Sequence, residues 1–308
     1  MLSVIIPVFN EEDNVAALHK ELLGVLDKLG SPFEIIFIND GSTDKTLEYL
    51  SKLKRVRIVN LRKRSGQSSA FDVGFKICKG EIIVTMDGDL QNDPADIPNL
   101  LGKLSEGYDV VCGWRFTRRD PLLNRFMANC GRMLRKYLLG DKIHDSGCSL
   151  RVYRREVLGH LDLYGEMHRM ITAILSLEGY RLAEIKVNHR KRLHGKTKYN
   201  MMKALKGFID IINTWLSFKY RGRPLHLLGG IGLLMFGIGT ILSTYFAIIR
   251  LVFNMPLADR VLPIASLFLV LFGVQLFAVG FLADIMIKNV YNSDKKNWER
   301  LVKDVVEL

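Results

Sequence analysis

The sequence predicts an α/β domain with a mostly parallel sheet, followed by an amphipathic segment and two membrane-spanning helices. Apolar runs typical of strands alternate with amphipathic runs typical of helices over the first third of the chain. Three of the apolar runs end in polar clusters, at 7–11, 39–42 and 87–91. Two long runs without a charged residue, 227–249 and 261–283, lie near the C-terminus.

The N-terminal alternation predicts a series of parallel strands. The apolar runs are LSVIIPVF at 2–9, FEIIFIND at 33–40, RVRIVNL at 55–61 and EIIVTMD at 81–87. Runs with helical periodicity separate them, at 12–29, 42–53 and 68–78. Near-continuous apolar strands between amphipathic helices indicate a parallel sheet that is covered on both faces. Ligands bind such sheets beyond the carboxyl ends of the strands, so we expect the three polar clusters to form the site.

The third polar cluster contains Asp87, Asp89 and Gln91, spaced two apart after the strand at 81–87. In an extended segment, residues at this spacing lie on the same face. Two adjacent carboxylates repel each other unless a cation lies between them, and oxygen ligands suit Mg²⁺ or Mn²⁺ together with substrate phosphates. The cluster therefore predicts a metal and diphosphate site. The alternative is a solvated acidic turn.

The charge balance restricts the classes of partner that fit this chain, and the cysteine content indicates its redox compartment. The 308 residues include 44 Lys and Arg against 32 Asp and Glu, a formal net charge of +12. This balance suits nucleic acid, an anionic membrane surface or a phosphorylated substrate. The four cysteines show no paired spacing, which argues against a disulfide framework or a sulfur-ligated metal and indicates a reducing compartment.

Basic residues flank the two uncharged runs. Lys219, Arg221 and Arg223 precede the first run, and a further basic group lies between 288 and 303, after the second. Each run is long enough to cross roughly 30 Å of hydrocarbon. By the positive-inside rule both termini are cytoplasmic, and the basic charge follows the membrane boundary rather than a nucleic-acid surface. Two buried helices of a soluble protein are the competing interpretation.

These features divide the chain into segments. We expect a cytosolic domain, amphipathic juxtamembrane helices, two transmembrane helices and a cytosolic tail, at 1–198, 199–224, 225–253, 261–287 and 288–308. A core helix of the soluble domain is the alternative for the amphipathic segment. Glycines spaced seven apart predict close helix packing, within or between subunits; the pairs are Gly230 with Gly237, Gly232 with Gly239 and Gly273 with Gly280.

Five segments, in this order, resemble a known family. They are PVFNEE (7–12), INDGSTD (38–44), LRKRSGQ (61–67), MDGDLQNDP (86–94) and DSGCSLRVYRREV (145–157). Together they resemble the cytosolic domain of family 2 glycosyltransferases, which has the Rossmann-like GT-A fold. Within that family they are similar to polyprenyl-phosphate glycosyltransferases, which include dolichyl-phosphate mannose synthases and undecaprenyl-phosphate glucosyltransferases. The resemblance extends to the two C-terminal spans.

The resemblance implies roles for the matching residues. Nucleotide-sugar binding is implied for Pro7, Phe9, Glu11, Asp40, Arg62, Gln67 and Asp87. Binding of the divalent ion, Mg²⁺ or Mn²⁺, is implied for Asp87, Asp89 and Gln91. The acceptor phosphate would be bound by Arg115, with Arg125 and Arg132 as local candidates. The implied catalytic residues are Asp89, Arg115 and Asp145. Asp145 is either a base or orienting group, or a structural hydrogen-bond partner.

Some positions depart from the family pattern. Asn39 stands where relatives often have a second acid near the base. Ala128 and Asn129 stand where relatives often have Ser and Arg near the acceptor. In relatives the stretch 165–200 lies over the nucleotide-sugar pocket; here it is rich in basic residues, and its histidines lack zinc-site spacing. Phosphate contact and a solvated basic face are both open for Arg190, Lys196 and Lys198.

The sequence thus predicts an integral inner-membrane enzyme that transfers one sugar from a UDP- or GDP-linked donor to undecaprenyl or dolichyl phosphate. The transfer is expected to be metal-dependent and inverting, at the cytosolic leaflet, with glucose favoured over mannose. Relatives and the glycine spacing favour a homo-oligomer, for example a tetramer, and no nucleic-acid partner is expected. A processive polysaccharide synthase is an alternative, although the sequence lacks a QxxRW motif. An inactive membrane-tethered scaffold is another, although the DxD and DGS motifs are intact.

Overall fold

The chain forms two compact units, Met1–Trp215 and Leu216–Leu308. A computed structural model describes residues 1–116, 122–159, 161, 163, 165–190, 208–209, 211–212, 214–216, 224–254, 256 and 261–293, with side chains except at 122–129 and 287–293. Most of the predicted juxtamembrane segment, 199–224, and most of the predicted tail, 288–308, lie outside these residues.

The first unit contains a seven-stranded, mostly parallel sheet, as predicted. Its order is β3-β2-β1-β4-β6-β5-β7, and β6 is antiparallel to both of its neighbours. The other pairings are parallel. The strands are β1 Leu2–Val8, β2 Phe33–Asn39, β3 Val56–Asn60, β4 Ile82–Thr85, β5 Val110–Trp114, β6 Arg151–Arg154 and β7 Leu182–Lys186.

Helices cover both faces of the sheet. They are α1 Val15–Leu26, α2 Thr46–Ser51, α3 Gln67–Ile77, α4 Ile97–Ser105, α5 Leu122–Leu139 and α6 Ile171–Leu177. Alternate residues of β1, Val4 and Ile6, belong to the core that also contains the buried leucines of α1 and α4. Ile5 lies on the opposite face against α3, where a side chain at Gly74 would collide with it. Burial on both faces explains why the strands are continuously apolar.

The register places the predicted polar clusters at one edge of the sheet. Asn39 is level with Val8 of β1 and Asn60 of β3, so the first three strands end together. Thr85, the last residue of β4, pairs with Arg151, the first residue of the antiparallel β6. Because β5 is also antiparallel to β6, it runs in the direction of β4 and brings Arg115 to the same edge. The loop before β6 arrives there as well.

The second unit contains two long apolar helices, α7 Pro224–Leu251 and α8 Val261–Ser293. Pro224–Leu251 and Val261–Met286 are long and apolar enough to cross a membrane. Only 17% of the most apolar part of each is buried, whereas a core helix of a soluble protein would be mostly buried. The described residues of this chain therefore leave most of the apolar surface of the two helices exposed, and something else must bury it.

Glycines bring α7 and α8 together within one chain. A Cβ atom at Gly232 would lie 2.6 Å from the carbonyl oxygen of Gly273, and one at Gly239 would lie 2.7 Å from the amide nitrogen of Val270. Gly230 and Gly237 have open space around them among the described residues. Gly232 and Gly239 therefore pack against α8 of the same chain, whereas Gly230 and Gly237 lie outside that contact.

Candidate active site

The loops that follow β1, β2 and β3 are tied together by hydrogen bonds. The backbone N–H of Asn10 donates to Ser42 Oγ at 3.0 Å, joining the first two loops. The carboxylate of Asp40 accepts the backbone N–H groups of Ser65 at 2.6 Å and Gly66 at 2.9 Å, joining the second loop to the third. Gly41 has φ +70°, and a Cβ atom there would lie 2.7 Å from the backbone nitrogen of Arg64, so only glycine fits.

The residues predicted to bind the nucleotide occupy this frame. Pro7 lies in β1, and the ring of Phe9 has the Arg64 guanidinium 4.1 Å from its centroid. The Glu11 carboxylate accepts from Asn14 Nδ2 at 2.6 Å. The Arg62 side chain is exposed. In this structure the buried Asp40 holds the third loop, which is a contact that its motif alone does not indicate.

Asp87 and Asp89 lie close to each other after β4. Gln67, the first residue of α3, donates from Nε2 to Asp87 Oδ1 at 2.6 Å. Loss of hydration raises the pKa of Asp87, and the charge of Asp89 raises it further. Hydrogen bonds from Ser149 and Gln67 and the charge of Arg115 oppose this rise. The site therefore disfavours the ionised form of Asp87 unless a further positive charge is present.

The segment after β4 is not extended, which corrects the reasoning behind the placement of Gln91. The strand ends at Thr85, and Leu90 has φ +60°, in the left-handed region. Gln91 is held by its backbone instead: its N–H donates to Asp89 Oδ1 at 3.2 Å, and its carbonyl accepts the N–H of Arg190 at 2.9 Å. Strand alternation therefore does not determine where the Gln91 side chain lies.

Asp87 and Asp89 could hold a hard divalent cation. Within the described ranges, no group of three or more His, Cys, Asp and Glu side chains could hold a metal ion. Mg²⁺ is commonly bound by one or two carboxylates together with substrate phosphates and water, so a pair is sufficient for an ion that arrives with a diphosphate. The raised pKa of Asp87 beside Asp89 fits this, because a cation would relieve the repulsion.

Arg115 and Asp145 form a two-point ion pair at the end of β5. Arg115 Nε and Nη2 lie 2.7 and 2.8 Å from the two oxygens of Asp145, and both side chains are largely buried. Glu184 of β7 supports this loop, since its carboxylate accepts the backbone N–H groups of His144 at 3.0 Å and Asp145 at 2.9 Å. The pair leaves Arg115 Nη1 free of Asp145 and fixes the orientation of the guanidinium.

The remaining predicted cationic residues are scattered. Arg132 is exposed on α5, and Arg125 lies on the same helix with its side chain outside the described atoms. Arg190 forms ion pairs with Glu21 at 2.7 Å and Asp93 at 2.8 Å. Lys196 and Lys198 lie outside the described residues. Among the arginine side chains that the structure describes, Arg115 is the predicted one whose charge acts on Asp87.

A cavity of about 200 Å³ opens beside Asp87. Its lining comes from α3, β4 and the segment after it, β6 and the loop before it, and the start of α6 with the segment before it. The residues are Gln67, Phe71, Thr85, Asp87, Ser146, Gly147, Cys148, Ser149, Arg151, Tyr153, His168, Arg169 and Ile171. Sequence reasoning assigned no role to Arg151, His168 or Arg169. For His168 and Arg169 the available signal was the basic character of 165–200, and Arg151 lies in the motif at 145–157. Packing decides which of these side chains face inward.

The topology and the acidic pair at the ligand-binding edge of the sheet define a sugar transferase of the GT-A class. Residues 3–162, just over half of the chain, match the family model Glycosyl transferase family 2. The chain therefore belongs to glycosyltransferase family 2 and is an enzyme of that class.

Curated relatives match nearly the whole chain. A dodecaprenyl-phosphate galacturonate synthase of Rhizobium johnstonii is 33% identical over 302 residues, which cover 95% of this chain and 89% of the relative. An undecaprenyl-phosphate 4-deoxy-4-formamido-L-arabinose transferase of Shewanella sediminis is 30% identical over 311 residues, which cover 99% of this chain and 92% of the relative. Both relatives are named as polyprenyl-phosphate sugar transferases.

Solved structures share the fold. Mannosyl-3-phosphoglycerate synthase of Rubrobacter xylanophilus has a TM-score of 0.60 at 14% identity, over 72% of this chain and 75% of that one. Glucosyl-3-phosphoglycerate synthase of Mycobacterium tuberculosis, solved with Mn²⁺, UDP and its product, has a TM-score of 0.53 at 20% identity, over 70% of this chain and 79% of that one. At these identities the likeness establishes the fold alone.

Proposed function

We propose that this glycosyltransferase moves one sugar from a nucleotide sugar to a polyprenyl phosphate at the cytosolic face of the inner membrane. The observation that carries the proposal is the extent of the likeness to polyprenyl-phosphate sugar transferases, which spans both the sheet unit and the two apolar helices. A lipid phosphate acceptor lies in a membrane, and a chain with two membrane helices keeps its site near that acceptor.

The tied loops after β1, β2 and β3 are the proposed nucleotide site. Pro7 lies near the end of β1, and Phe9 and Glu11 follow it in the first loop. Asp40 holds the third loop so that Gln67 reaches Asp87. Asp87 and Asp89, with Gln91 nearby, would hold Mg²⁺ or Mn²⁺. When bound, such an ion stabilises the negative charge that develops on a departing nucleoside diphosphate. The Mycobacterium tuberculosis enzyme noted above was solved with Mn²⁺ and UDP, which supports this assignment by analogy of fold.

The acceptor phosphate is proposed to meet Arg115. A phosphate monoester has a second pKa of about 6, so at neutral pH it is mostly a dianion and a competent nucleophile without a strong general base. The Asp145 carboxylate is bound to Arg115 through both oxygens, which favours an orienting role for Asp145 over proton abstraction. Arg125 and Arg132 on α5 are further candidates for phosphate contact.

The proposed reaction is a single displacement. An acceptor phosphate oxygen forms a bond to the anomeric carbon, the bond from that carbon to the diphosphate oxygen breaks, and the nucleoside diphosphate leaves with the electron pair. The anomeric configuration is inverted. The test compares UDP-linked with GDP-linked donors, and undecaprenyl phosphate with dolichyl phosphate as acceptor. It also compares glucose with mannose, because the sequence favours glucose. Cytoplasmic termini and a homo-oligomer are proposed with it.

A transfer assay tests the proposal. Purified protein with Mn²⁺, a labelled nucleotide sugar and a polyprenyl phosphate should form a chloroform-soluble labelled lipid. Asp89→Asn should lower the rate by about 100-fold or more, because charge stabilisation of the leaving group is lost. Asp27→Asn, an exposed carboxylate in an ion pair with Arg55, is the matched control and should keep the wild-type rate. A polymeric product would indicate a processive synthase, and no lipid product with any donor would refute the proposal.

A further inference from the structure

The cavity beside Asp87 is lined by positive charge that the proposed reaction does not use. Its lining shares Gln67 and Asp87 with the proposed nucleotide-sugar site, and none of its residues comes from the loops after β1 and β2. Its volume of about 200 Å³ is small beside the roughly 300–1,000 Å³ of a pocket for a drug-sized ligand. A cavity of this size next to the carboxylate pair suits a single sugar rather than a whole nucleotide.

Arg151 supplies a fixed charge to this cavity. It is 3% exposed at the start of β6 and, among the residues that the structure describes, has no carboxylate partner. Its Nε donates to the carbonyl oxygen of Cys148 at 2.7 Å, and its Nη atoms donate to the carbonyl oxygens of Ser146 and His168. Burial opposes the charge of Arg151, but its surroundings, including the Tyr153 side chain to which it is hydrogen-bonded, hold its pKa above the ordinary value. Arg151 therefore stays positive and adds to the positive potential of the cavity.

His168 adds a hydrogen-bond donor of defined direction. Ser68 Oγ accepts the backbone N–H of His168 at 3.0 Å and lies 2.8 Å from His168 Nδ1, so its O–H can donate to that nitrogen. In that arrangement Nδ1 is the acceptor and Nε2 has the proton. Burial, with the charges of Arg169 and Arg151, lowers the pKa of His168 to about 3, so this neutral tautomer persists at neutral pH.

Arg169 is the cation in the lining that can reorganise. Its side chain is 41% exposed, and its one ion pair within the described chain is with Glu166, at 3.4 Å. Glu166 is itself about half exposed, and exposed pairs of this kind contribute little. The Arg169 guanidinium is therefore available to a ligand, and it has the planar donor pattern that matches a carboxylate.

We propose that this cavity receives a carboxylate of the donor sugar, and that the donor is a nucleotide-linked hexuronic acid. Arg169 and His168 Nε2 would donate to the carboxylate, and Arg151 would supply the surrounding positive potential. A neutral hexose has a hydroxymethyl group where a hexuronic acid has its carboxylate. It would leave these donors without a charged acceptor. The inference rests on the proposed sugar transfer and replaces glucose with an acidic sugar as the transferred unit.

Donor binding without an acceptor tests the inference. Calorimetry on the full chain in detergent with Mn²⁺ compares three matched pairs, namely UDP-glucuronate with UDP-glucose, UDP-galacturonate with UDP-galactose, and GDP-mannuronate with GDP-mannose. At least one uronate should bind about ten-fold or more tightly than its parent hexose. Arg169→Gln should reduce that ratio to about three-fold or less. Arg57→Gln removes an equal charge from an exposed site on β3 and should keep the ratio.

Each outcome separates this inference from the proposed function. Equal or tighter binding of every neutral hexose overturns the uronate assignment, and a neutral sugar transferred to polyprenyl phosphate would then leave the proposed function standing. Uronate selectivity without any lipid product supports the assignment and refutes the acceptor. UDP alone is the last arm: if Arg169→Gln weakens UDP as much as the uronate donor, Arg169 contacts the diphosphate and the inference fails.

Discussion

At the scale of single residues, the fold disfavours the negative charge of Asp87. Its pKa is raised above the ordinary value by loss of hydration and by Asp89. A raised folded-state pKa means that the folded protein holds its proton to higher pH than the unfolded chain does. The free energy of unfolding therefore falls as pH rises from the unfolded value of about 3.9 through the folded value, and stays lower above it.

Asp87→Asn should therefore raise the apparent melting temperature of metal-free protein at pH 7. The amide removes the charge and keeps an oxygen to accept from Gln67 Nε2. Below about pH 3.9 the difference should vanish, because Asp87 is then protonated in both states. Thermal scans in a chelator across pH measure this, with Asp27→Asn as an exposed control. Added Mn²⁺ should stabilise the wild type and not the variant; a less stable Asp87→Asn at pH 7 would contradict the account.

Removing one partner of the Arg115–Asp145 pair should lower the free energy of unfolding more than replacing both partners does. Its side chains are 13% and 14% exposed, so Arg115→Met takes the guanidinium away from a largely buried carboxylate and should cost about 3–5 kcal/mol. Arg115→Met with Asp145→Leu should recover most of that loss, as a double-mutant cycle in denaturant would show. Arg55→Met breaks an exposed pair with Asp27 and should lose about 1 kcal/mol or less. A double variant as unstable as the single one would argue against this.

At the scale of elements, the membrane hairpin depends on which glycines face the partner helix. Around Gly232 the atoms nearest to an added Cβ belong to the backbone of α8, the carbonyl oxygen of Gly273 and the amide nitrogen of Phe277 at 2.8 Å. Backbone atoms cannot move aside as a flexible side chain can, so an alanine there must push the helices apart. Gly237, on the same helix, has nothing within 4 Å.

Gly232→Ala should thus destabilise the α7–α8 hairpin by about 1–3 kcal/mol, the usual range for overpacking. Gly237→Ala should leave it within about 0.5 kcal/mol, as expected away from a packed contact. Titration with a denaturing detergent, in the same bilayer mimic, measures the free energy of unfolding of both variants. Equal losses in the two variants would mean that Gly237 also packs, against a second copy of the chain, and cross-linking would detect that copy.

At the scale of the whole molecule, the proposed donor site and the two apolar helices belong to different units. The predicted donor-site residues, Arg115 and the cavity all lie within Met1–Trp215, and both long apolar helices lie within Leu216–Leu308. We therefore propose that donor binding is a property of the first unit. The second unit is proposed to hold the lipid acceptor near the enzyme by raising its effective concentration.

A chain ending at residue 215 should bind UDP with Mn²⁺ within about three-fold of the full chain. Its transfer to a long-chain polyprenyl phosphate in vesicles should fall by about 100-fold, because the gain from holding site and lipid together is lost. Calorimetry and the lipid extraction assay measure the two properties separately. If the truncated chain transferred sugar to the vesicle lipid at the full rate, α7 and α8 would have no role in acceptor access.

The amino-acid sequence by itself determined the fold class, the family and the two apolar helices. These follow from local patterns, namely apolar periodicity, uncharged runs and short motifs, which a linear chain displays without folding. The edge of the sheet at which the motifs meet also followed, because parallel strands bring their carboxyl ends to one side.

Only the tertiary structure decided which side chains face one another. Arg115 meets Asp145 from 30 residues away, and Ser68 meets His168 from 100 residues away. The turn at Leu90, the carbonyl oxygens around Arg151 and the division of the glycines between two faces of α7 depend likewise on contacts between distant segments. Such contacts depend on how helices and loops pack on the sheet, and no local pattern encodes that packing.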